Sequence, residues 1–430
     1  MRFNLFSKRK QPALQGKSAS YLMSMGQAAG MAHRYDAFAA EGYALNPVAY
    51  ACVDKIAKAL TSVDLQLYRK EKSGKIGRVE KHELLALLDK PNPFQSGRGL
   101  LDALIRYKLI GGNAYLLAGK SLTPSFKKPI ELRALCPSAV KPIKSAYEGV
   151  PSAYEYRTES NAPVTYPVDI VTGASQLLHI RTFNPMGGLL GLPPLQAAAY
   201  AADIFNAGQK WNHSLLKNEA RPSGALQVKG ADGKPATLTD EQHRRMKEEL
   251  DEQISGASNS GRPLLLEGGL EWVQLSMTAK DMDFEKSILN NARFIASVYG
   301  VPPMLVNIPG ESTFSNFAEA RVALWTDTVL PQLQTLLDDL NRWLVPMYGE
   351  DMFLWYDEEM IPALEPLRKE KGDRVNNAGY MTIDEKREAM GLDELPGNLG
   401  DAVLVPSSVV PLELVGDMGL SEVGANSADA

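Results

Sequence analysis

The tripeptide Gly119-Lys120-Ser121 comes closest in this sequence to a site for chemistry, because it matches the end of a phosphate-binding P-loop. A P-loop also needs a glycine five residues before Gly119, so that consecutive backbone amides can surround the phosphates. That position is Ala114, and the four residues between are Tyr-Leu-Leu-Ala, an apolar run typical of a buried strand. Gly16-Lys17-Ser18 fails in the same way, with Gln11 at the first position. The sequence therefore predicts no nucleotide site.

Motifs for hydrolysis or metal binding are also incomplete. His82-Glu83 begins like a zinc protease motif, but Ala86 stands where the second histidine is required. The five histidines are otherwise scattered, and no Gly-x-Ser-x-Gly elbow is present. Carboxylate pairs such as Asp338-Asp339 fit a solvated helix face. We predict no catalytic residues, no metal site and no cofactor.

Composition bounds the remaining possibilities. A chain of 430 residues should form two or more packing units. The net charge of −5 argues against tight wrapping of nucleic acid, although it allows passing contact. The two cysteines, Cys52 and Cys136, give no disulfide framework and suit a reducing environment. The longest uncharged run, 182–202, is broken by prolines and glycines, so we predict no membrane span.

A polar loop between two predicted helices is the most informative feature of the second half. Phe284, Ile288, Ala292, Ile295 and Val298 form one apolar stripe on a helix. Gly300 and the pair Pro302-Pro303 should end it. The loop that follows comprises Asn307, Ile308, Pro309, Gly310, Glu311, Ser312, Thr313, Phe314, Ser315 and Asn316. Lacking a charge run and a metal ligand set, it suits a sliding or gating surface.

The helix after this loop is predicted to run to Leu344. Asn316 should cap it, with Glu319 completing a capping box, and Pro331 should kink it. Two long helices that flank a loop of small residues can present that loop to a lumen or groove.

A separable module lies between the predicted helix Pro194–Asn218 and the helix before Gly300. It reads as a strand at 225–228, a charged helix at 239–254, and a strand pair at 263–267 and 270–275. This pattern indicates a knob on a two-helix stalk. Its helix carries mixed charges, among them Arg244, Arg245, Lys247, Glu248 and Asp251. The helix is either a docking face or simply a solvated surface.

The first region alternates helices with short strands, and we predict an α+β fold.

Residues 1–44 read as a flexible arm, with ordered structure beginning near Asn46-Pro47. The C-terminal stretch has no Lys, Arg or His after Arg387 but eight acidic residues, and we expect residues 406–430 to form a loose acidic tail.

Several segments taken in order carry a family resemblance. The most telling are Asn46-Pro-Val-Ala-Tyr-Ala-Cys-Val-Asp-Lys-Ile-Ala, Leu88-Asp-Lys-Pro-Asn-Pro-Phe, Gly111-Gly-Asn-Ala-Tyr, Gly191-Leu-Pro-Pro-Leu, Phe294-Ile-Ala-Ser-Val-Tyr-Gly-Val-Pro-Pro and Met381-Thr-Ile-Asp-Glu-Lys-Arg-Glu-Ala-Met-Gly-Leu. Over about residues 45–395 the chain resembles the portal proteins, or head–tail connectors, of long-tailed double-stranded DNA phages. Each segment is weak alone, but their order and spacing are highly specific.

The resemblance implies a portal-type fold with an α/β wing, a two-helix stem, a small α/β clip and a helical crown. The implied boundaries are wing 45–192, stem 193–219, clip 220–279, stem 280–300, tunnel loop region 301–316, wing 317–372 and crown 373–405. Loop 307–316 would face DNA, and five clip residues would bind terminase and adaptor: Arg244, Arg245, Lys247, Glu248 and Asp251.

The resemblance also implies partners and a location. Such proteins form a ring of twelve subunits at one capsid vertex, where they contact the large terminase subunit, a head–tail adaptor, and the major capsid protein or scaffold. Double-stranded DNA passes through the channel, and no membrane is involved. The protein would belong to the virion, and to the host cytoplasm during assembly. Two alternatives remain: a hydrolase acting on DNA or phosphoesters, and a capsid scaffold or adaptor without a channel.

Overall fold

The computed structural model describes residues 35–71, 76–120, 128–158, 162–217, 224–228, 239–241, 244–245, 270–274, 284–310, 314–397, 399–401 and 403. The chain divides into two compact units, Met1–Tyr356 and Asp357–Ala430. Helices alternate with short antiparallel strands, which confirms the predicted α+β class.

Most of the helices and all of the named strands belong to the first unit. The α-helices are α1 (Pro47–Thr61), α2 (Glu83–Asp89), α3 (Gly97–Gly111), α4 (Pro194–Ala197), α5 (Ala199–Lys217), α6 (Phe284–Val298), α7 (Phe314–Leu324), α8 (Leu330–Trp343), α9 (Glu365–Asn376) and α10 (Ile383–Ala389). The strands are β1 (Leu65–Lys70), β2 (Ile76–Val79), β3 (Asn113–Lys120), β4 (Pro129–Leu135), β5 (Val140–Lys144), β6 (Pro151–Tyr156), β7 (Val164–Pro167), β8 (Leu177–Arg181), β9 (Gly224–Val228), β10 (Leu270–Gln274) and β11 (Met352–Tyr356).

The strands form four small sheets in the first unit. Their orders are β11-β1-β2, β4-β3-β8, β5-β6-β7 and β10-β9. In the first sheet Leu67 of β1 pairs with Leu354 of β11, so a strand late in the first unit completes a sheet begun near its start. The sequence analysis missed β2, β5, β7 and β11. The predicted strands 225–228 and 270–275 are present as β9 and β10, and they pair with each other. The predicted strand 263–267 lies outside the described residues.

Helix α1 begins where the sequence indicates. The Asn46 side chain accepts hydrogen bonds from the Val48 and Ala49 backbone amides, and Pro47 occupies the first turn, where no amide is needed. The apolar residues of this helix lie at helical spacing and are buried: Val48, Cys52, Val53, Ile56 and Leu60. This face packs on α3, and Arg106 of α3 reaches Asp54 of α1 at 2.8 Å.

Ordered structure begins earlier than the sequence indicates. Residues from Tyr35 are helical, and Phe38–Ala44 is a π-helical segment. Phe38 is buried, and a Cβ on Gly42 would lie 2.3 Å from Cδ2 of Leu195. This close approach to α4 orders the segment, so the predicted flexible arm 1–44 is wrong from Tyr35 onward. Residues 1–34 lie outside the described residues.

The second unit contains α9 and α10. Thr382 and Glu385 form a complete capping box that begins α10, and Thr382 also bridges to Val403. Helix α9 runs from Glu365 to Asn376 and so crosses the predicted boundary between residues 372 and 373.

Candidate functional site

Helix α6 ends at a glycine that its surroundings require. Gly300 has φ of 67°, and the Thr328 hydroxyl donates a 2.7 Å hydrogen bond to the Gly300 carbonyl. A Cβ at this position would lie 2.5 Å from Thr328 Oγ1. The left-handed conformation and the close contact both favour glycine, which confirms the predicted helix stop.

The apolar stripe predicted for α6 is partly wrong. Ala292 and Ile295 are buried, but Val298 is 37% exposed. Ala296 and Tyr299 are buried in its place. The buried face is therefore rotated slightly about the helix axis from the predicted face, because α6 packs against α1, α4 and α5 together.

The base of loop 307–316 is anchored to the body of the first unit. A 3₁₀ turn at Pro303–Val306 leads to Asn307, which has φ of 58°. Leu305 and Ile308 are buried, so the Ile308 side chain supports the loop from beneath.

Two positively charged side chains donate hydrogen bonds to backbone carbonyls at the base of this loop. Lys55 Nζ donates to the Leu305 carbonyl at 3.0 Å, and Arg293 donates to the Pro309 carbonyl at 2.7 Å. A Cβ on Gly310 would meet nothing within 4 Å, so the space around this residue is open. Glu311, Ser312 and Thr313 lie outside the described residues.

Helix α7 begins at Phe314, which makes the predicted capping box wrong. Asn316 lies inside the helix, where its side chain cannot act as the N-cap for Glu319. Phe317 is 41% exposed, while Leu324 at the far end is buried. The helix thus becomes part of the core only at its C-terminal end.

The helix predicted after the loop runs without a gap from Phe314 to Trp343, as α7, a π-helical segment at Trp325–Val329, and α8. Pro331 lies in the first turn of α8, directly after this segment. Proline lacks an amide proton and its ring clashes with the carbonyl four residues earlier, and a wider turn accommodates both. Thr328, which holds Gly300, lies in the π-helical segment.

The predicted docking helix is described at few positions. Arg244 and Arg245 are exposed and helical, and Arg245 Nη2 lies 3.0 Å from Glu241 Oε1. Part of the positive charge is therefore neutralised within the helix. Lys247, Glu248 and Asp251 lie outside the described residues.

The first stalk helix is interrupted, and it carries an unusual carboxylate. Ala198 separates α4 from α5, so the predicted continuous helix 194–218 is wrong at that residue. Asp203 of α5 is 6% exposed, and its Oδ2 has no hydrogen-bond partner within the described residues. Burial, with Glu41 nearby, raises the pKa of Asp203 to about 6. Sequence reasoning missed this residue, because nothing in its spacing signals burial.

Two classes of site find no support in the described part of the chain. No group of three potential metal ligands occurs among those residues. Within the same residues, no helix has the length and apolarity to cross a bilayer.

Comparisons with known proteins agree with this architecture. A neck of a gene transfer agent particle, solved with C12 symmetry, contains a similar chain: 37% identity, TM-score 0.61, covering 83% of this chain and 92% of that one. An uncharacterized protein of Rickettsia bellii is 38% identical over 83% of this chain and 89% of its own length. The portal protein of Enterobacteria phage HK97 is 24% identical over 88% and 85%, respectively. The family model for phage portal protein matches residues 47–391, and the chain therefore belongs to the phage portal protein family.

Proposed function

We propose that this portal protein assembles as a ring of twelve copies at one capsid vertex, whose channel passes double-stranded DNA during packaging and ejection. Membership of the family supports the portal role, and similarity to a chain in a C12 neck supports the ring number. In this proposal the protein is part of the virion, and it assembles in the host cytoplasm with the capsid protein or scaffold.

The anchored loop is the observation that carries the channel role. Its base is fixed by two buried side chains and by the Lys55 and Arg293 hydrogen bonds, while the space around Gly310 is open. Such a loop can keep a constant position while its tip adapts to a moving surface. Residues 309–316, with small polar side chains around Phe314, would face DNA, and Asn307 and Ile308 would support them.

The clip would dock the large terminase subunit and a head–tail adaptor. Arg244 and Arg245 lie exposed on its helix, and an acidic partner surface would complement them. Portal proteins are a structural family, so we assign ATP hydrolysis to the terminase and mechanical support to this chain.

Imaging and activity assays of the purified full chain test the proposal together. Negative-stain electron microscopy and mass photometry should show a ring with a central hole and a mass of about twelve copies. Purified protein should hydrolyse neither ATP nor DNA above background, and Lys120→Ala should change nothing. A monomer with nuclease activity would support the hydrolase alternative, and an assembly without a hole would support a scaffold or adaptor.

A further inference from the structure

Helices α5 and α6 expose large apolar side chains that the described residues of the chain leave uncovered. On α5, Tyr200 is 62% exposed and Ile204 is 47% exposed. On α6, Phe294 is 62% exposed and Val298 is 37% exposed. Each pair is four residues apart and so lies on one face of its helix. We call Tyr200 with Ile204 the α5 patch, and Phe294 with Val298 the α6 patch.

Small residues adjoin the large ones in both patches. Ala207 continues the α5 patch at the next turn, and Ser297 lies beside Val298 on α6; both are exposed. A large side chain beside a small one presents a knob and a hole to an approaching helix. Two such surfaces can interlock at a short interhelical distance.

The two patches lie at the same end of the helix pair. Helix α6 contacts α5 and also α4, which directly precedes α5. Tyr299, just past the end of α6, places its hydroxyl 3.5 Å from the Leu109 carbonyl of α3, and α4 contacts α3 as well. The end of α6 is therefore beside the beginning of α5, and the helices run antiparallel. Tyr200 and Ile204 lie in the first turns of α5, whereas Phe294 and Val298 lie in the last turns of α6.

A ring requires this kind of arrangement. Around a cyclic axis of order greater than two, each copy offers one surface to the copy on its left and a different surface to the copy on its right. Neighbouring copies are related by rotation alone, without translation along the axis. Surfaces that meet in neighbouring copies therefore lie at the same position along the axis. Two unlike apolar patches at one end of the stalk supply the two different surfaces, and they lie at one height in a ring whose axis runs along the stalk.

We infer that the α5 patch of one copy packs against the α6 patch of the next copy around the ring. The occupant of each patch is thus a second copy of this chain, in a head-to-tail contact. This inference rests on the proposed function, because it assumes a ring. It goes further by assigning the residues that join one copy to the next.

Cysteine crosslinking tests the contact directly. The background variant is Cys136→Ser, which removes the partly exposed thiol and keeps the buried Cys52. Ile204→Cys and Phe294→Cys in the same chain, treated with a short bismaleimide, should give a ladder of covalent multimers up to the full ring. Either cysteine alone should give monomers.

Co-expression of the two single-cysteine variants is the decisive arm, because a crosslink within one chain cannot produce its result. Mixed rings should yield covalent dimers and nothing larger. The control pairs Ile204→Cys with Val171→Cys, a 94% exposed position, and should stay monomeric. Intact rings that give no dimers in the mixture would overturn the inference and leave the proposed function standing. Crosslinking of Ile204→Cys with itself would also overturn it, by showing a like-to-like contact.

A charge substitution gives a second measurement. Ile204→Asp or Phe294→Asp would bury an unpaired carboxylate in this contact, and should lower the assembled fraction at least about tenfold. Ile170→Asp, at a 42% exposed site, should assemble as the wild type does. Circular dichroism checks that each variant folds. Wild-type protein that never assembles would contradict the proposed function as well as this inference, and the two failures are therefore distinguishable.

Discussion

Arg293 Nη2 donates a 2.7 Å hydrogen bond to the backbone carbonyl of Pro309. The bond joins a stalk helix to the loop proposed to face DNA, since Arg293 lies on α6 and Pro309 lies at the base of the loop. Phe294, the next residue of α6, belongs to the surface proposed to contact a neighbouring copy. Adjacent residues of one helix thus hold the base of the loop and contribute to the proposed subunit contact.

Replacing Arg293 with Ala should loosen the loop and leave the fold unchanged. An exposed hydrogen bond from a charged donor contributes about 1 kcal/mol, equivalent to roughly a fivefold change in the population of loosened loop. Limited proteolysis of the assembled protein should therefore cut within 307–316 about five times faster. Arg321→Ala on α7 is the matched control, because it removes an exposed arginine near the same loop. Equal cleavage rates in the two variants would show that the hydrogen bond does not restrain the loop.

Gly300→Ala should destabilise the first unit. The left-handed backbone conformation costs alanine about 1 kcal/mol of folding free energy. The alanine Cβ would also approach Thr328 Oγ1 to 2.5 Å. We expect a total cost of roughly 2–3 kcal/mol, seen as a lower midpoint in thermal unfolding. Gly379→Ala, where a Cβ meets nothing within 4 Å, should leave the midpoint unchanged. A midpoint for Gly300→Ala equal to that of the control would mean that the turn relaxes without strain.

The sequence predicts those helix and strand ends that are determined by residues close together in the chain. Asn46 and Pro47 start α1 by capping, and Gly300 with Pro302 stops α6, because each effect acts within one helical turn. Gly119 and Lys120 end strand β3, as the apolar run before them indicates.

Features that depend on distant partners could not be predicted in this way. Strand β11 pairs with β1, and Arg69 contacts Met352 across 283 positions of sequence. Phe38 is ordered because it packs into the core near α4, which the residues around it in the sequence do not reveal. At the loop, composition indicated a polar surface, but the anchoring of Ile308, Lys55 and Arg293 is a tertiary property.

Asp203→Asn should stabilise the protein at neutral pH and lose this effect in acid. The pKa of Asp203 in the folded chain is about 6, above its ordinary value of 3.8, because burial and Glu41 disfavour the carboxylate. A raised carboxyl pKa means that the folded state binds the proton more tightly, so the wild type gains stability as pH falls from above 6 toward 4. The variant should melt at a higher temperature than the wild type at pH 7.5, and the gap should narrow steadily toward pH 4.5.

The matched control is Asp240→Asn, which removes an exposed carboxylate. It should show the same small difference from the wild type at both pH values. A gain for Asp203→Asn that does not change with pH would mean that the carboxylate is not the destabilising group.

Arg244→Glu should weaken terminase binding more than Arg245→Glu does. Arg245 already pairs with Glu241 at 3.0 Å, so less of its charge is available to a partner. Binding measured by surface plasmon resonance should fall for both variants, and the difference should shrink at high salt. Rings should still form. Lys81→Glu, at an exposed site elsewhere in the first unit, is the control. Unchanged terminase affinity in Arg244→Glu would remove this helix from the docking surface.

Ser312→Arg should stop or slow DNA packaging without disturbing assembly. Short neutral side chains can touch a moving phosphate backbone without holding it, whereas an arginine adds a salt-dependent attraction to phosphate. In a ring the substitution is repeated in every copy around one narrow opening. The weak attractions therefore add together and slow the movement of DNA through the channel. Glu311→Gln should be milder, because it removes repulsion without creating an attraction.

Nuclease protection of DNA in packaging extracts measures the effect, with ring assembly checked by electron microscopy. Val171→Arg places the same charge at a 94% exposed position outside the loop and should package normally. Raising the salt concentration should partly restore packaging by Ser312→Arg, since the added attraction is electrostatic. Ser312→Arg rings that package DNA at the wild-type rate would show that loop 307–316 does not line the channel. The anchoring of its base by Lys55 and Arg293 would then serve another surface of the ring.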